Sequence, residues 1–144
     1  MDNIFIKIIS YDSPEYKTSV LLREEILLKP LGLTYSLESL EKEKEQIHMV
    51  GLKGDEIIAT IVLAPKDKEC KMKRFAVKTG MQFLGIGSKM IRFFEEYARF
   101  QGFKSIYCNA KDSAIGFYIR HNYIGEGAYF YIHGVQHLLM RKVI

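Results

Sequence analysis

The sequence predicts a mixed α+β fold in a single domain that spans residues 1–144, and three observations carry that prediction. The chain is long enough for one sizeable core, and 48% of its 144 residues are hydrophobic. Its apolar patterns alternate between the period of strands and the period of helices. The resulting order is strand, helix, helix, three strands, helix, strand, helix and two strands, with no internal repeat.

Residues 4–9 predict the first strand, because they are rich in β-branched side chains and end at a cluster that breaks strands. A helix follows at about residues 14–28, where apolar side chains recur at helical spacing. Ser13 is its expected N-cap and Pro14 its first residue. Gly32 lies just beyond its predicted end.

A short, charged helix and a hairpin follow. Residues 37–44 predict the helix, and the charge run at residues 38–45 is interpreted as a solvated face rather than a binding site. The β-branched runs at residues 46–52 and 56–63 flank a Gly-Asp turn. This pattern indicates an antiparallel hairpin.

The second half predicts four strands and two helices. The strands cover about residues 70–77, 104–110, 124–132 and 136–143. One helix runs from a glycine-bearing loop to about residue 101, and a second is capped by Asp112 or Ser113 and ends near residue 121. The apolar run Phe75-Ala76-Val77 at the end of its strand is expected to be buried on both faces.

Charge and cysteine content exclude several classes of protein. Twenty-one Lys and Arg against 17 Asp and Glu give a net charge of +4, which favours anionic ligands only mildly and agrees with an ordinary mixed surface. No basic stripe is interleaved with aromatic residues, so nucleic-acid binding is not expected. The two cysteines and four histidines show neither a disulfide framework nor the spacing of metal ligands. We expect a cytoplasmic protein, without signal peptide or membrane span.

The loop at residues 82–88 carries the strongest chemical signal. Gly85 and Gly87 let the backbone approach an anion closely, and the helix that begins there presents unpaired N–H groups and the positive end of its dipole. The loop is therefore a predicted pyrophosphate site. Taken alone, it could equally be a helix N-terminus that uses glycine only for its turn.

With its neighbours, the loop resembles the GNAT superfamily of N-acetyltransferases over nearly the whole chain. Phe75-Ala76-Val77 followed by Gln82-x-x-Gly85-x-Gly87 is similar to the family's fourth strand and its Q/R-x-x-G-x-G/A loop. Asn109 and Ala114-x-x-Phe117-Tyr118 match a second family segment. The resemblance implies a mixed, mostly antiparallel sheet of about seven strands, with helices on both faces and a splay between strands four and five.

The resemblance also implies acetyl-CoA as acetyl donor, held by residues of both motifs. These cofactor-binding residues are Phe75, Ala76, Val77, Gln82, Phe83, Leu84, Gly85, Ile86, Gly87, Ser88, Asn109 and Tyr118. Family members with a tyrosine at position 118 use its hydroxyl to protonate the leaving thiolate, so Tyr118 is the expected catalytic acid. The Phe75 N–H would stabilise the oxyanion.

The acceptor side is less defined. Some protein-lysine acetyltransferases carry a glutamate where this chain has Lys71, which is protonated at neutral pH and cannot serve as a base. The general base is left open among Glu24, Glu25, His133, His137 and an ordered water chain. The segments 22–32 and 134–140 are similar to an uncharacterised bacterial GNAT subgroup, in which Arg23 and His137 would face the substrate. For Arg23, an ion pair with a neighbouring glutamate is an equal alternative.

The predicted function is therefore acetyl-CoA-dependent N-acetyl transfer by direct attack of an amine, expected to be a small molecule. The alternative is a non-catalytic module that binds acyl-CoA. No metal is expected. Exposed strands at the C-terminal end would permit a homodimer.

Overall fold

A computed structural model describes residues 3–82 and 84–144. The strands are β1 (Phe5–Ile9), β2 (Ile47–Lys53), β3 (Glu56–Lys66), β4 (Glu69–Val77), β5 (Ser105–Lys111), β6 (Ile124–Ile132) and β7 (Val135–Val143). The helices are α1 (Pro14–Arg23), α2 (Leu37–Glu41), α3 (Ile86–Phe100) and α4 (Ile115–Arg120), with a π-helical turn at Glu24–Leu28 and 3₁₀ turns at Lys29–Leu31 and Asp112–Ala114. The predicted order of elements is confirmed.

The strands form one mixed sheet in the order β1-β2-β3-β4-β5-β7-β6. Neighbouring strands are antiparallel except for β4 and β5, which run parallel. The β4–β5 ladder joins only Glu69–Lys71 to Ser105–Tyr107, so the remainder of both strands diverges. The predicted splay between strands four and five is confirmed, and it leaves backbone groups without a strand partner at the centre of the sheet.

Helices cover both faces of the sheet. On one face, α3 packs on a large apolar core in which Met49, Met72 and Phe94 are buried. On the other face, α1 covers a smaller cluster that includes Val20 and Val50. Met49 and Val50 are adjacent on β2 and therefore point to opposite faces, as strand geometry requires. The two faces are called the α3 face and the α1 face below.

The first helix differs from its predicted continuous course to residue 28. Ser13 caps it as predicted, accepting a hydrogen bond from the Tyr16 N–H at 3.1 Å, but its α-helical part ends at Arg23. A wider π-helical turn follows, then a 3₁₀ turn that contains Pro30. Proline cannot donate to the carbonyl four residues earlier and its ring clashes with it, so α-helical geometry cannot continue through this residue.

Two burial predictions were wrong in part. Glu43 lies within the charge run interpreted as a solvated face, yet its side chain is fully buried. Within Phe75-Ala76-Val77, only Ala76 is buried, and Phe75 and Val77 are half-exposed. Val77 pairs with β3 on one side, but both residues lie beyond the end of the β4–β5 ladder, where β5 no longer covers the other side.

Candidate active site

The glycine loop forms an open N-terminus for α3. Gly85 occupies the N-cap position with φ 83°, a left-handed conformation that favours glycine, and no side chain caps the helix. The N–H groups of the first turn have no acceptor within the helix, and the helix dipole adds partial positive charge there. The geometry fits the negative oxygens of a pyrophosphate.

Side chains connect this loop to the end of β4 and to the end of α4. The Gln82 side-chain amide donates to the Val77 carbonyl at 3.0 Å, which fixes the loop to the end of β4. The Ser88 hydroxyl lies 3.0 Å from Nε2 of His121, beyond α4. A Cβ at Gly87 would sit 3.4 Å from the Phe117 ring, an ordinary contact distance, so the loop lies close against α4. Leu84 is exposed, and Phe83 lies outside the described residues.

Tyr118 is buried on the α3 face, in the same apolar core as Cys108. Cys108 is the first residue of β5 beyond the β4–β5 ladder, so Tyr118 lies at the base of the splay. Burial, followed by the proximity of Cys108, raises the pKa of Tyr118 well above its usual value. The hydroxyl therefore keeps its proton at neutral pH, which is the state that a general acid needs.

Register places Asn109 and His137 on the α1 face. Asn109 follows buried Cys108 and so points to the opposite face, and directly paired strand residues share a face. Lys111, two residues after Asn109, pairs with His137. Nδ1 of His137 is 2.7 Å from the Val135 carbonyl, which can only accept, so Nδ1 carries the proton and Nε2 keeps a lone pair. Phe130 stacks on the same ring at 5.9 Å.

Arg23 does not lie on an open surface. Its side chain is fully buried and donates from Nη1 to Oε1 of Glu43 at 2.8 Å and from Nη2 to Oε2 at 2.5 Å. Tyr16 donates to the same carboxylate at 3.0 Å, and the Arg23 guanidinium stacks over Tyr35 at 4.7 Å. The ion-pair alternative therefore describes the observed contacts, although the partner is 20 residues away rather than a neighbour. Direct contact of Arg23 with a substrate stays a prediction, and the buried guanidinium offers no exposed N–H group for such a contact.

Two polar residues near the site, His121 and Arg74, were not predicted from the sequence. His121 supports the loop through Ser88, and burial lowers its pKa, so its ring is neutral at pH 7. Arg74 occupies a β-bulge, with φ 54° and a shift in the β3–β4 register beside it. Neither feature has a local sequence signal, since both depend on which strands and helices meet in the fold.

The described residues contain neither a cluster of metal ligands nor a membrane-spanning helix. In residues 3–82 and 84–144, no three His, Cys, Asp or Glu side chains converge as a set of metal ligands. Across the same part of the chain, no helix is long and apolar enough to cross a membrane.

Comparison with known proteins gives consistent matches. The family model described as "Acetyltransferase (GNAT) family" matches residues 12–123. An uncharacterized N-acetyltransferase of Bacillus subtilis (strain 168), YjcF, is 26% identical over 136 residues, which cover 94% of this chain and 97% of that protein. Among solved structures, Escherichia coli ElaA has a TM-score of 0.83 at 17% identity, covering 97% of this chain and 99% of that one. A GNAT family acetyltransferase from Elizabethkingia anophelis with acetyl-CoA bound has a TM-score of 0.74 at 19% identity and full coverage of both chains.

Proposed function

Because the chain belongs to the GNAT family of acetyltransferases, we propose that it transfers the acetyl group of acetyl-CoA directly to the amine of a small molecule. The observation that carries the proposal is the splay between β4 and β5, with an uncapped helix N-terminus at one end and a protonated tyrosine at its base. That arrangement matches a long ligand with an anionic end and a reactive thioester. The similar Elizabethkingia fold with acetyl-CoA bound supports the choice of ligand.

The binding role falls to backbone groups more than to side chains. The N–H groups of residues 84–88 would hold the pyrophosphate, and the free edges of β4 and β5 would pair with the amides of the pantetheine arm as an added strand does. Asn109, at the splayed part of β5, would bond the same arm. A half-exposed Phe75 beside the gap leaves its backbone within reach of the ligand.

The chemistry needs one donor, one acid and one base. Acetyl-CoA supplies an acetyl thioester. The nitrogen of the acceptor amine bonds to the thioester carbonyl carbon, and the carbon–sulfur bond breaks. The Phe75 N–H is the proposed donor to the developing oxyanion, a contribution of about 3 kcal/mol for one good donor. Tyr118 donates its proton to the departing sulfur and regains one from water. Protonation of the thiolate prevents the reverse reaction.

For the base we select His137 from the candidates. Its Nδ1–H is committed to the Val135 carbonyl, which leaves Nε2 able to take a proton from the attacking amine. Register places it opposite Lys111, four residues past the end of the β4–β5 ladder, and Phe75 is four residues past the same point on β4. The proposed acid, Tyr118, lies on the α3 face, and the proposed base, His137, lies on the α1 face. The amine would therefore approach from the α1 face, and the sulfur would leave on the α3 face.

A turnover assay with an amine panel tests the proposal. Acetyl-CoA and each amine are incubated with the protein, released thiol is titrated, and the acetylated amine is identified by mass spectrometry. Amine-dependent thiol release with a matching acetylated product is expected. Binding of acetyl-CoA without transfer to any amine would support the alternative of a non-catalytic acyl-CoA-binding module, and absence of binding at concentrations well above micromolar would refute the choice of cofactor.

A further inference from the structure

Three basic side chains of β4 share the α1 face beside the splay. Cys70 and Met72 are buried under α3, so Lys71 and Lys73 point to the opposite face by strand alternation. The β-bulge brings Arg74 to that face as well. Its guanidinium lies 5.0 Å from the Tyr35 ring centroid, and its Nε lies 3.5 Å from Oε2 of Glu43.

Carboxylates do not balance this charge. Glu43 is the carboxylate that pairs with Arg74, and both of its oxygens already accept from Arg23, with a further hydrogen bond from Tyr16. Glu69, at the start of β4, pairs with Arg141 at 3.2 Å. Within the described part of the chain, neither Lys71 nor Lys73 has a carboxylate within ion-pair distance. The charge of Glu43 is therefore already shared by Arg23 and Arg74, and in the described part of the chain the two lysines are left without a counterion.

The two lysines are unusual because they are half-buried without a counterion. Burial, followed by the charge of Arg74, lowers the pKa of Lys71 and lowers the pKa of Lys73 to about 8. Burial of a cation is costly unless an opposite charge accompanies it. An anionic ligand on this face would supply that charge.

Lys71 and Lys73 lie close, along β4, to the proposed reaction centre. Lys71 is the last β4 residue that pairs with β5, and Lys73 lies where the strands diverge. Phe75, whose N–H is the proposed oxyanion donor, follows Lys73 by two residues, across the bulge at Arg74. Asn109 and His137 share the α1 face across the splay. A group held by Lys73 would therefore be a short spacer away from an amine at the thioester.

We propose that the acceptor is an amine that also carries a carboxylate or phosphate, and that Lys71, Lys73 and Arg74 bind this anionic group. The inference rests on the proposed acetyl transfer and adds the class of acceptor. The pyrophosphate of the donor lies at the N-terminus of α3, on the other face of the sheet, so the two anion sites are separate. Lys71 thus has a role as an anion ligand at the position where other acetyltransferases place a glutamate base.

Matched pairs of amines test the inference. O-phosphoethanolamine is compared with ethanolamine, and β-alanine with β-alaninamide, so that each pair differs chiefly in the anionic group. The wild type is expected to favour the charged member by roughly 10- to 100-fold in kcat/KM, as for hydrogen bonds to a charged group. The phosphate and carboxylate pairs together distinguish which anion fits better.

Charge-removing variants assign the preference to residues. Lys71→Gln and Lys73→Gln are expected to raise KM for the charged amine by about tenfold or more while leaving KM for its neutral partner unchanged. Lys17→Gln removes the same charge from an exposed position of α1 and serves as the control. Equal use of both members of each pair by the wild type, or unchanged selectivity in the Lys71→Gln/Lys73→Gln double variant, would overturn the inference.

A binding measurement separates this inference from the proposed function. O-phosphoethanolamine is titrated by calorimetry into the wild type and the double variant, both saturated with coenzyme A. Binding that the double variant loses supports the anion site even if no amine is acetylated, in which case only the proposed reaction fails. Absence of binding to the wild type, or equal binding to both proteins, refutes the anion site irrespective of turnover.

Discussion

Replacement of Glu43 by Gln should strongly destabilise the protein, because it leaves the charge of Arg23 buried without a counterion. Both side chains are inaccessible to solvent and are joined by two hydrogen bonds. Removing one partner from such a pair typically costs about 3–5 kcal/mol in free energy of unfolding. For a chain of this length, that corresponds to a fall of roughly 10–20 °C in melting temperature.

A double-mutant cycle isolates the interaction between the two residues. Arg23→Met, Glu43→Gln and the double variant are unfolded with urea, and their free energies of unfolding are compared. The double variant should be less destabilised than the sum of the single variants by at least about 1 kcal/mol, because it contains no isolated buried charge. Glu45→Gln provides a matched control in the same charge run, and at an exposed position it should change stability by less than about 0.5 kcal/mol.

Two results would refute this reasoning. Equal stability of the Glu43→Gln and Glu45→Gln variants would show that Glu43 is not a buried ion-pair partner. Strict additivity in the cycle would show that Arg23 and Glu43 do not interact, and the interior position of Arg23 would then need another explanation.

Three further predictions concern catalysis and pH. Tyr118→Phe should lower kcat, most visibly below the pKa of the thiol, and leave acetyl-CoA affinity nearly unchanged; an equal loss in Cys108→Ala would indicate a packing role for the tyrosine instead. His137→Gln should lower kcat and leave acetyl-CoA affinity nearly unchanged, whereas an unchanged kcat would exclude this base. Urea unfolding at several pH values should show the free energy of unfolding falling below about pH 6.5. Burial lowers the pKa of His48 in the folded state, so the unfolded state binds more protons in this range. The free energy of unfolding should fall again below about pH 4.5, because the pKa of Glu43 is lowered by hydrogen bonds from Arg23 and Tyr16 that outweigh its burial. A flat profile across both ranges would contradict these assignments.

The sequence predicted the order of elements and the loop because both have local signals. Ser13 and Pro14 mark the start of α1 in the sequence and occupy those positions in the structure. Gly85 adopts the left-handed conformation that a tight turn before a helix favours. Apolar and β-branched runs located the strands to within a few residues, including β6, which is exposed along most of its length.

The polar interior could not be predicted in the same way. Glu43 lies in a run of charged residues that resembles a solvated helix, and only the fold brings it to Arg23, 20 residues earlier. The bulge at Arg74 likewise depends on the β3–β4 register, which a single strand does not reveal. The alternation of Lys71 and Lys73 was visible in the sequence, but the face they occupy and the shortage of carboxylates around them were not.

The proposed acetyl-CoA site requires the anionic end of the cofactor to bind at the N-terminus of α3, and a pair of variants at Gly85 tests this requirement. Asp and Asn have nearly the same shape and both tolerate the left-handed conformation better than most residues, so they differ mainly in charge. No atom outside the adjoining residues lies within 4 Å of a Cβ at this position, so either side chain can be accommodated. Calorimetry with acetyl-CoA should give a dissociation constant at least about tenfold weaker for Gly85→Asp than for Gly85→Asn, because a carboxylate repels a pyrophosphate there. Equal affinity of the two variants for acetyl-CoA would show that the pyrophosphate does not bind at the N-terminus of α3.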